Sequence, residues 1–279
     1  MCDQTLATEV TYENKKESFL DQKDQVYKEE RSYSQSKSAQ LGYYKRVTYY
    51  NQNGQSTAYE EYYIPEIVSK SGILSSKFYL NNKGIKFRVE HVYTETGSYH
   101  NGFFKTIVHL DLNGLREKIE LIYTDEEKNR SGFEKSVLHF NKNGEKVREE
   151  FYNTPITTKQ KGFYKSDVIY DALGKKTQEK WYMSEDYQNS EQVESIVRYF
   201  NDEGKETKQE GFFTPEMSES QGFYKSTVFF DESGRKLKEE RFYIPNNLQG
   251  KGYHKGVIYF EKNGEPKAEL RYDAKGNRF

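Results

Sequence analysis

Histidine and serine are the side chains of this sequence that could catalyse a reaction or bind a metal. The histidines are His91, His100, His109, His139 and His254. His109 and His139 lie thirty residues apart, and the same interval recurs among Ser136, Ser166 and Ser226. A catalytic residue has to occur only once, so recurrence at a fixed spacing indicates a structural position. We expect these side chains to pack within the fold and to bind no zinc.

Other signals of chemistry point the same way. The sequence contains no phosphate-binding loop, CxxC pair or HExxH motif. We therefore expect a protein that is not an enzyme and needs no cofactor or metal, and we disfavour a hydrolase on a β scaffold. The chain has 43 basic and 44 acidic residues, a net charge of −1, so it has no basic surplus for nucleic acid.

Lysine and glutamate recur with the same interval. The lysines are Lys45, Lys105, Lys135, Lys165, Lys225 and Lys255. The glutamates are Glu30, Glu60, Glu90, Glu120, Glu150, Glu210 and Glu240. Charges that alternate in sign are typical of a solvated face with ion pairs.

All of these recurring residues occupy fixed positions in an internal repeat. One glycine series has a strict thirty-residue interval: Gly54, Gly84, Gly114, Gly144, Gly174, Gly204, Gly234 and Gly264. A second series has the same interval, with Gln192 in its one gap: Gly42, Gly72, Gly102, Gly132, Gly162, Gly222 and Gly252. Asp or Asn precedes seven of the first-series glycines by three residues, which predicts a tight turn.

Each unit is predicted to be a β-hairpin. Runs rich in Phe, Tyr, Val and Thr flank the turn on both sides, as in strands. Pro65, Pro155, Pro215 or Pro245 follows in half of the connections, where proline stops a strand. Residues 42–279 are predicted to hold eight such repeats, and residues 1–41 to form an N-terminal segment with a degenerate capping repeat, in which Asp24 stands where the glycine belongs.

The fold class is predicted as all-β, a long antiparallel meander of thirty-residue hairpins. Only 34% of the residues are hydrophobic, but there are 25 Tyr and 18 Phe, so we expect a folded protein with a thin, wet core. A parallel solenoid would stack like charges at about 4.8 Å and is disfavoured. An open or curled single-layer sheet is preferred, with a closed barrel-like ring as the alternative.

The predicted strand register is continuous from the turn. Asp231 pairs with Arg235 and Phe230 with Lys236, which places Lys225 opposite Arg241. The same register places Ser136, Ser166 and Ser226 opposite Glu150, Lys180 and Glu240.

Several segments resemble known bacterial repeats. The turn from Asn141 to Lys146, followed by VREEFY, resembles the hairpin repeats of YwqK-type proteins and the related MORN repeats. VIYDALGK at 168–175 and RYDAKG at 271–276 resemble the tyrosine-aspartate repeats of RHS-type cell-surface proteins. The resemblance implies a non-enzymatic sheet that binds proteins or lipid surfaces, an antitoxin, or a shell around toxic cargo.

The expected function is binding of another macromolecule, a protein or cell-envelope component, through an extended aromatic and charged β surface. The candidate surface residues are Tyr44, Phe104, Tyr164, Tyr224, Lys105, Lys165 and Lys225. Glycan binding ranks lower because Trp181 is the sole tryptophan. Cys2 is the one cysteine and a candidate lipidation site. An exported lipoprotein, in contact with the membrane only through that anchor, is favoured. The alternative is an intracellular antitoxin or immunity protein.

Overall fold

The computed structural model describes residues 12–244 and 253–278. The chain divides into two units, residues 1–130 and residues 131–279, and each is described by itself. The candidate lipidation site Cys2, together with Pro245 and Gly252, lies outside the described residues.

Unit 1 contains eight strands, each antiparallel to the next along the chain. They are β1 (Lys15–Leu20), β2 (Val26–Ser32), β3 (Tyr43–Tyr50), β4 (Ser56–Tyr63), β5 (Ile73–Leu80), β6 (Lys86–Tyr93), β7 (Phe103–Leu110) and β8 (Arg116–Tyr123). Among the described residues, no pairing returns from β8 to β1, so the sheet of this unit is open.

Unit 2 contains ten strands in the same consecutive antiparallel order. They are β9 (Phe133–Phe140), β10 (Lys146–Asn153), β11 (Phe163–Tyr170), β12 (Lys176–Met183), β13 (Val193–Phe200), β14 (Glu206–Phe213), β15 (Phe223–Phe230), β16 (Lys236–Tyr243), β17 (Lys255–Phe260) and β18 (Pro266–Tyr272). The all-β class and the open antiparallel meander are thus confirmed, and within each unit the ring alternative is wrong.

Most hairpin turns are held by an Asp or Asn side chain and a glycine; the first has Asp24 in place of the glycine, and the turn between β17 and β18 has Glu261 in place of the Asp or Asn. In one example the Asn141 side-chain oxygen accepts hydrogen bonds from the backbone N–H groups of Asn143 and Glu145, both at 3.0 Å. The Gly144 N–H donates to the Asn141 carbonyl at 2.9 Å. Glycines of the first series have φ between 73° and 87°, a left-handed conformation that glycine adopts without a steric penalty. At the corresponding place in the first hairpin Asp24 has φ 59°.

Seven of the connections between hairpins are short helices, where the sequence predicted only strand breaks; most of the connection between β16 and β17 lies outside the described residues. They are α1 (Gln35–Leu41), α2 (Pro65–Ser71), α3 (Glu95–Asn101), α4 (Asp125–Ser131), α5 (Pro155–Lys161), α6 (Glu185–Glu191) and α7 (Pro215–Gln221). In α7 the Thr214 hydroxyl caps the Met217 N–H at 3.3 Å, and Pro215 occupies the first turn, where its missing N–H costs nothing.

The second glycine series ends these helices. Gly222 has φ 81° and donates its N–H to the Ser218 carbonyl at 2.9 Å, a left-handed helix C-cap. Gln192 adopts the same conformation with φ 57°. Each cap then joins the following connection: the Gly132 carbonyl accepts from the Thr154 N–H at 2.9 Å, and the Gln192 carbonyl from the Thr214 N–H at 3.0 Å. The helix ends therefore link successive hairpins.

Two β-bulges shift the strand register, so the continuous register predicted from the turn is wrong. Phe230 pairs with Lys236 as expected, but Phe229 pairs with Lys238, which leaves Leu237 without a partner. The second shift lies between Phe223 and Lys225 and leaves Tyr224 unpaired. Between the bulges every pair moves by one residue, and a one-residue slip changes which side chains share a face.

The serines move with this register. Ser136, Ser166 and Ser226 lie opposite Phe151, Trp181 and Arg241, and not opposite the charged residues predicted for them.

The core is thin, as the composition predicts. Ser76 and Ser136 are completely buried, so small polar side chains lie where a thicker core would hold apolar ones. The buried hydrophobic residues are Tyr43, Val47, Ala58, Ile64, Val89, Ile107, Val137, Val168, Met183, Val197, Tyr243, Tyr253 and Val257.

Candidate binding surface

One face of β14 to β17 gathers lysines and aromatic rings. Residues that pair directly across antiparallel strands share a face. The pairs assign three residues from each strand to this face, which we call the lysine face: Lys208, Glu210 and Phe212; Lys225, Thr227 and Phe229; Lys238, Glu240 and Phe242; Lys255, Val257 and Tyr259.

The lysines and rings form a checkerboard. Each strand carries one lysine and, four residues later, one ring. Because neighbouring strands run in opposite directions, lysine and ring exchange places from each strand to the next. One row across the strands is Lys208, Phe229, Lys238, Tyr259, and the other is Phe212, Lys225, Phe242, Lys255. The central row between them holds Glu210, Thr227, Glu240 and Val257.

The ammonium groups lie close to the rings beside them. Lys225 Nζ is 5.2 Å from the Phe212 ring centre and 5.6 Å from that of Phe242. Lys238 Nζ is 4.2 Å from the Phe229 ring centre. These distances are within the range of cation–π attraction, which holds the lysines in place while leaving part of each exposed.

Each glutamate of the central row is shared by two lysines. Lys208 and Lys225 reach Glu210 at 3.2 Å and 3.0 Å. Lys238 and Lys255 reach Glu240 at 2.6 Å and 3.0 Å. Four cations therefore meet two carboxylates, and the lysine face of β14 to β17 keeps two surplus positive charges.

The glutamates are ionised at neutral pH. Burial is the largest contribution and raises the pKa of Glu210, but hydrogen bonds from Lys225, Lys208 and Tyr199 outweigh it, so this pKa lies below its ordinary value. Burial and the hydrogen bond to Glu210 raise the pKa of Tyr199 to about 12, so the phenol remains a donor. Burial also raises the pKa of Glu240, but hydrogen bonds from Lys238 and Lys255 outweigh it and lower this pKa in the same way, so both glutamates are negatively charged at neutral pH.

Exposed apolar side chains add to the lysine face. Tyr259 belongs to the checkerboard and is 39% exposed, and Leu237, the residue at the β16 bulge, is 48% exposed. A groove of about 740 Å³ runs beside them, and Phe229, Lys238 and Ala268 also line it. Half-exposed apolar side chains next to surplus charge are typical of an interaction surface.

The opposite face of the same strands differs from the lysine face in its charge balance and in the packing of its rings. Its charged residues are Glu206, Lys236, Glu239 and Arg241, two of each sign. Arg241 lies 5.4 Å over the Phe223 ring, which packs edge-on against Phe213 and Tyr243. We call this the arginine face. Its charges are balanced and its rings pack against each other.

The sharing of one carboxylate by two cations recurs elsewhere. Lys28 and Lys45 reach Glu30 at 2.5 Å and 2.6 Å, and Arg88 and Lys105 both contact Glu90. Glu150 lies among Lys165, Arg148, Tyr152 and His139. Burial would raise the pKa of Glu150, but hydrogen bonds from Lys165, Tyr152 and His139 lower it to about 2. The complete checkerboard, however, is found in β14 to β17.

The predicted surface residues occupy equivalent positions in different hairpins. Lys165 and Lys225 lie on β11 and β15 of unit 2, where Lys165 Nζ is 5.3 Å from the Tyr152 ring centre and 5.1 Å from that of Tyr182. Tyr164 and Tyr224 are the bulge residues beside them and are 47% and 39% exposed.

The other predicted surface residues lie in unit 1. Lys105 contacts Glu90 at 2.5 Å. Phe104 is 41% exposed, and Tyr44 packs 6.4 Å from Tyr62. Within each unit the predicted residues thus lie in a row across strands, without forming a single cluster.

The predicted set omitted the ring partners and half of the lysines. Lys208 and Lys238, and the rings of Phe212, Phe229 and Phe242, were missed. The signal for them is a lysine followed by Phe or Tyr four residues later in each of four successive strands, at 208/212, 225/229, 238/242 and 255/259. The spacing by itself is not specific, since it also occurs at 15/19, 23/27, 45/49, 83/87, 159/163 and 275/279. The sequence also indicated that the predicted register was wrong. That register put Lys225 opposite Arg241, and like charges directly opposite each other are destabilising.

Two histidines of the predicted repeat series make local contacts with glutamates. His109 and His139 each contact a glutamate, Glu120 at 3.0 Å and Glu150 at 2.8 Å. Across residues 12–244 and 253–278 no group of three or more metal-ligating side chains comes together. No helix in that part of the chain is long and apolar enough to cross a membrane.

Comparisons with known proteins give no close relative. No family model matches the chain, and no curated protein sequence matches it. Among solved structures, a porin-like protein from Bacteroides uniformis ATCC 8492 aligns at 12% identity over 81% of this chain and 88% of its own, with a TM-score of 0.24. A TcdB2-TccC3 structure aligns at 11% identity over 94% of this chain and 17% of its own, with a TM-score of 0.13. Likenesses this weak carry no argument about function.

Proposed function

We propose that the protein is a non-enzymatic binding protein whose lysine face on β14 to β17 holds an acidic macromolecule. The observation that carries this proposal is the ratio of four lysines to two glutamates on that face, beside exposed Tyr259 and Leu237. The arginine face of the same strands has neither a charge surplus nor an exposed large apolar side chain among its described residues.

Surplus charge of one sign attracts a partner of the other sign, and exposed rings give that partner a place to pack. The cations here need no rearrangement on binding, because each is already held beside a ring and a carboxylate. Ordering costs at the interface are correspondingly small.

Two lysines of β16 provide a matched test. Lys238 lies on the lysine face and Lys236 on the arginine face. Their side chains are 33% and 34% exposed, they contact Glu240 at 2.6 Å and Glu239 at 2.7 Å, and they lie 4.2 Å and 4.3 Å from a ring centre. Lys238→Gln and Lys236→Gln therefore remove the same charge from equivalent surroundings on opposite faces.

The measurement is binding of poly-L-glutamate by fluorescence anisotropy across a salt series. We expect the wild-type protein to bind at low salt and to weaken as salt rises, since exposed charges are screened. Lys238→Gln should weaken binding about threefold, the effect of one exposed ion pair, and Lys236→Gln should leave it unchanged. Equal effects of the two substitutions, or no binding at low salt, would refute the proposal.

A further inference from the structure

The checkerboard has a regular spacing across the strands. Lys225 and Lys255 lie on β15 and β17 in one row, and Lys208 and Lys238 lie on β14 and β16 in the other. Neighbouring strands are about 4.8 Å apart, so lysines of one row repeat at about 9.6 Å. Rings repeat at the same interval, half a period out of step.

A ligand on this surface cannot use the protein backbone. Strands β14 to β17 each pair on both sides with a neighbouring strand, so apart from the bulge residues their N–H and C=O groups are engaged within the sheet. A polypeptide lying across the strands therefore receives contacts from side chains alone. The backbone N–H and C=O groups of that polypeptide must then form their hydrogen bonds without the sheet. This requirement favours a conformation whose backbone is hydrated throughout.

The polyproline II helix has both the hydrated backbone that this surface requires and a repeat close to the interval between the lysines. It has no internal hydrogen bonds, its backbone is solvated, and three residues advance it by about 9.3 Å, close to the 9.6 Å lysine interval. An extended β-strand repeats its side chains at about 6.7 Å and would fall out of step after one lysine. Proline-rich polyproline II segments also dock against aromatic side chains, which here alternate with the lysines.

We propose that the partner segment is an acidic polypeptide in the polyproline II conformation, crossing β14 to β17 with one carboxylate at every third residue. This inference rests on the proposed function and adds the conformation and spacing of the ligand. The carboxylates contact Lys225 and Lys255, the residues between them pack on Phe242, and the residues before the first carboxylate pack on Phe212.

The test compares two synthetic peptides of identical composition and charge. One consists of six Glu-Pro-Pro triplets, and the other of three Glu-Pro-Glu-Pro-Pro-Pro units, which keep the polyproline II conformation but place the carboxylates unevenly. We expect the triplet peptide to bind the wild-type protein about tenfold more tightly, equivalent to about 1.4 kcal/mol. Lys225→Gln combined with Lys255→Gln should remove this preference, whereas Lys236→Gln should retain it.

The outcomes separate the two proposals. Equal affinity for the two peptides would overturn the spacing inference, while the contrast between Lys238→Gln and Lys236→Gln on polyglutamate would still decide the proposed function. Polygalacturonate serves as the third probe. If it binds more tightly than either peptide and loses affinity in the Lys225→Gln, Lys255→Gln variant, the ligand is an acidic glycan and the polypeptide inference is wrong. The wild-type comparison requires no variant to fold.

Discussion

Glycines stand at the turn end and at the helix end of most hairpins, and they serve different purposes there. At the turn end, a Cβ on Gly144 would meet no atom within 4 Å, and the Asn141 side chain closes the turn within its own hairpin. At the helix end, a Cβ on Gly132 would lie 2.5 Å from Thr157 Oγ1 of the next connection, and the Gly132 carbonyl binds the Thr154 N–H.

This difference separates two tasks. The turn end folds one hairpin, whereas the helix end fixes the position of a hairpin against its predecessor. The checkerboard depends on both, because its rows cross from hairpin to hairpin. A change at the helix end should therefore disturb binding as well as stability, and a change at the turn end should act mainly on stability.

The largest effect is expected from Gly132→Ala compared with Gly144→Ala. Both glycines have similar φ, 79° and 81°, so each substitution places alanine in a left-handed conformation at about 1–2 kcal/mol. Gly132→Ala also clashes with Thr157, and overpacking adds about 1–3 kcal/mol. Urea unfolding should show a clearly greater loss of stability for Gly132→Ala. Adding Thr157→Ala should recover part of it, and equal losses for the two glycines would contradict the difference between the ends.

A smaller effect, a gain in stability, is expected from introducing glycine at the helix end and the turn end that lack it. Gln192 occupies a helix cap with φ 57°, and Asp24 a turn with φ 59°. Gln192→Gly should relieve left-handed strain that is partly offset by the greater freedom of glycine in the unfolded chain, for a net gain of about 0.5 kcal/mol. Asp24→Gly should gain less, because aspartate tolerates this conformation better than glutamine. A loss of thermal stability in Gln192→Gly would argue against strain at this cap.

The smallest expected effect is a local loss of stability at one turn end when the pH is lowered. Hydrogen bonding from the Leu115 N–H, followed by that from the Asn113 N–H, outweighs desolvation and lowers the pKa of Asp111 below its ordinary value of 3.8. A lowered pKa stabilises the folded turn above the ordinary value, and this stabilisation is lost as pH falls through the lowered one. Asn141, at the same place in the next hairpin, does not titrate. Amide-exchange protection factors, corrected for the intrinsic pH dependence of exchange, should therefore fall at Gly114 between about pH 5 and pH 2 while staying constant at Gly144; an equal fall at both glycines would refute the role of the carboxylate.

The sequence predicted the turn end well because its chemistry is local. Asx at one position and glycine three residues later fix a turn whatever surrounds it. The helix end was missed because a helix of seven residues is too short to show a 3.6-residue period. Its signals, Thr214, Pro215 and Gly222, were present but spread over a connection that also reads as a strand break.

The binding surface was only partly predictable for a related reason. The lysine series followed from the repeat, but the ring partners depend on the register, and the register depends on bulges at Leu237 and Tyr224. Neither bulge has a glycine or another marker in the sequence. A shift of one residue exchanges Arg241 for Phe242 opposite Lys225, and with it a repulsive pair for a cation–π contact.

The carbonyl-to-amide links between helix caps have a consequence for inheritance. Within each unit the carbonyl of a cap binds the connection that follows it, as those of Gly132 and Gln192 do, so the effect of removing one hairpin falls mainly on its neighbours. An in-frame gain or loss of thirty codons at such a link would lengthen or shorten the array by one copy while every other turn stays intact. Recombination would in this way change the number of hairpins without changing the sequence of the remaining ones.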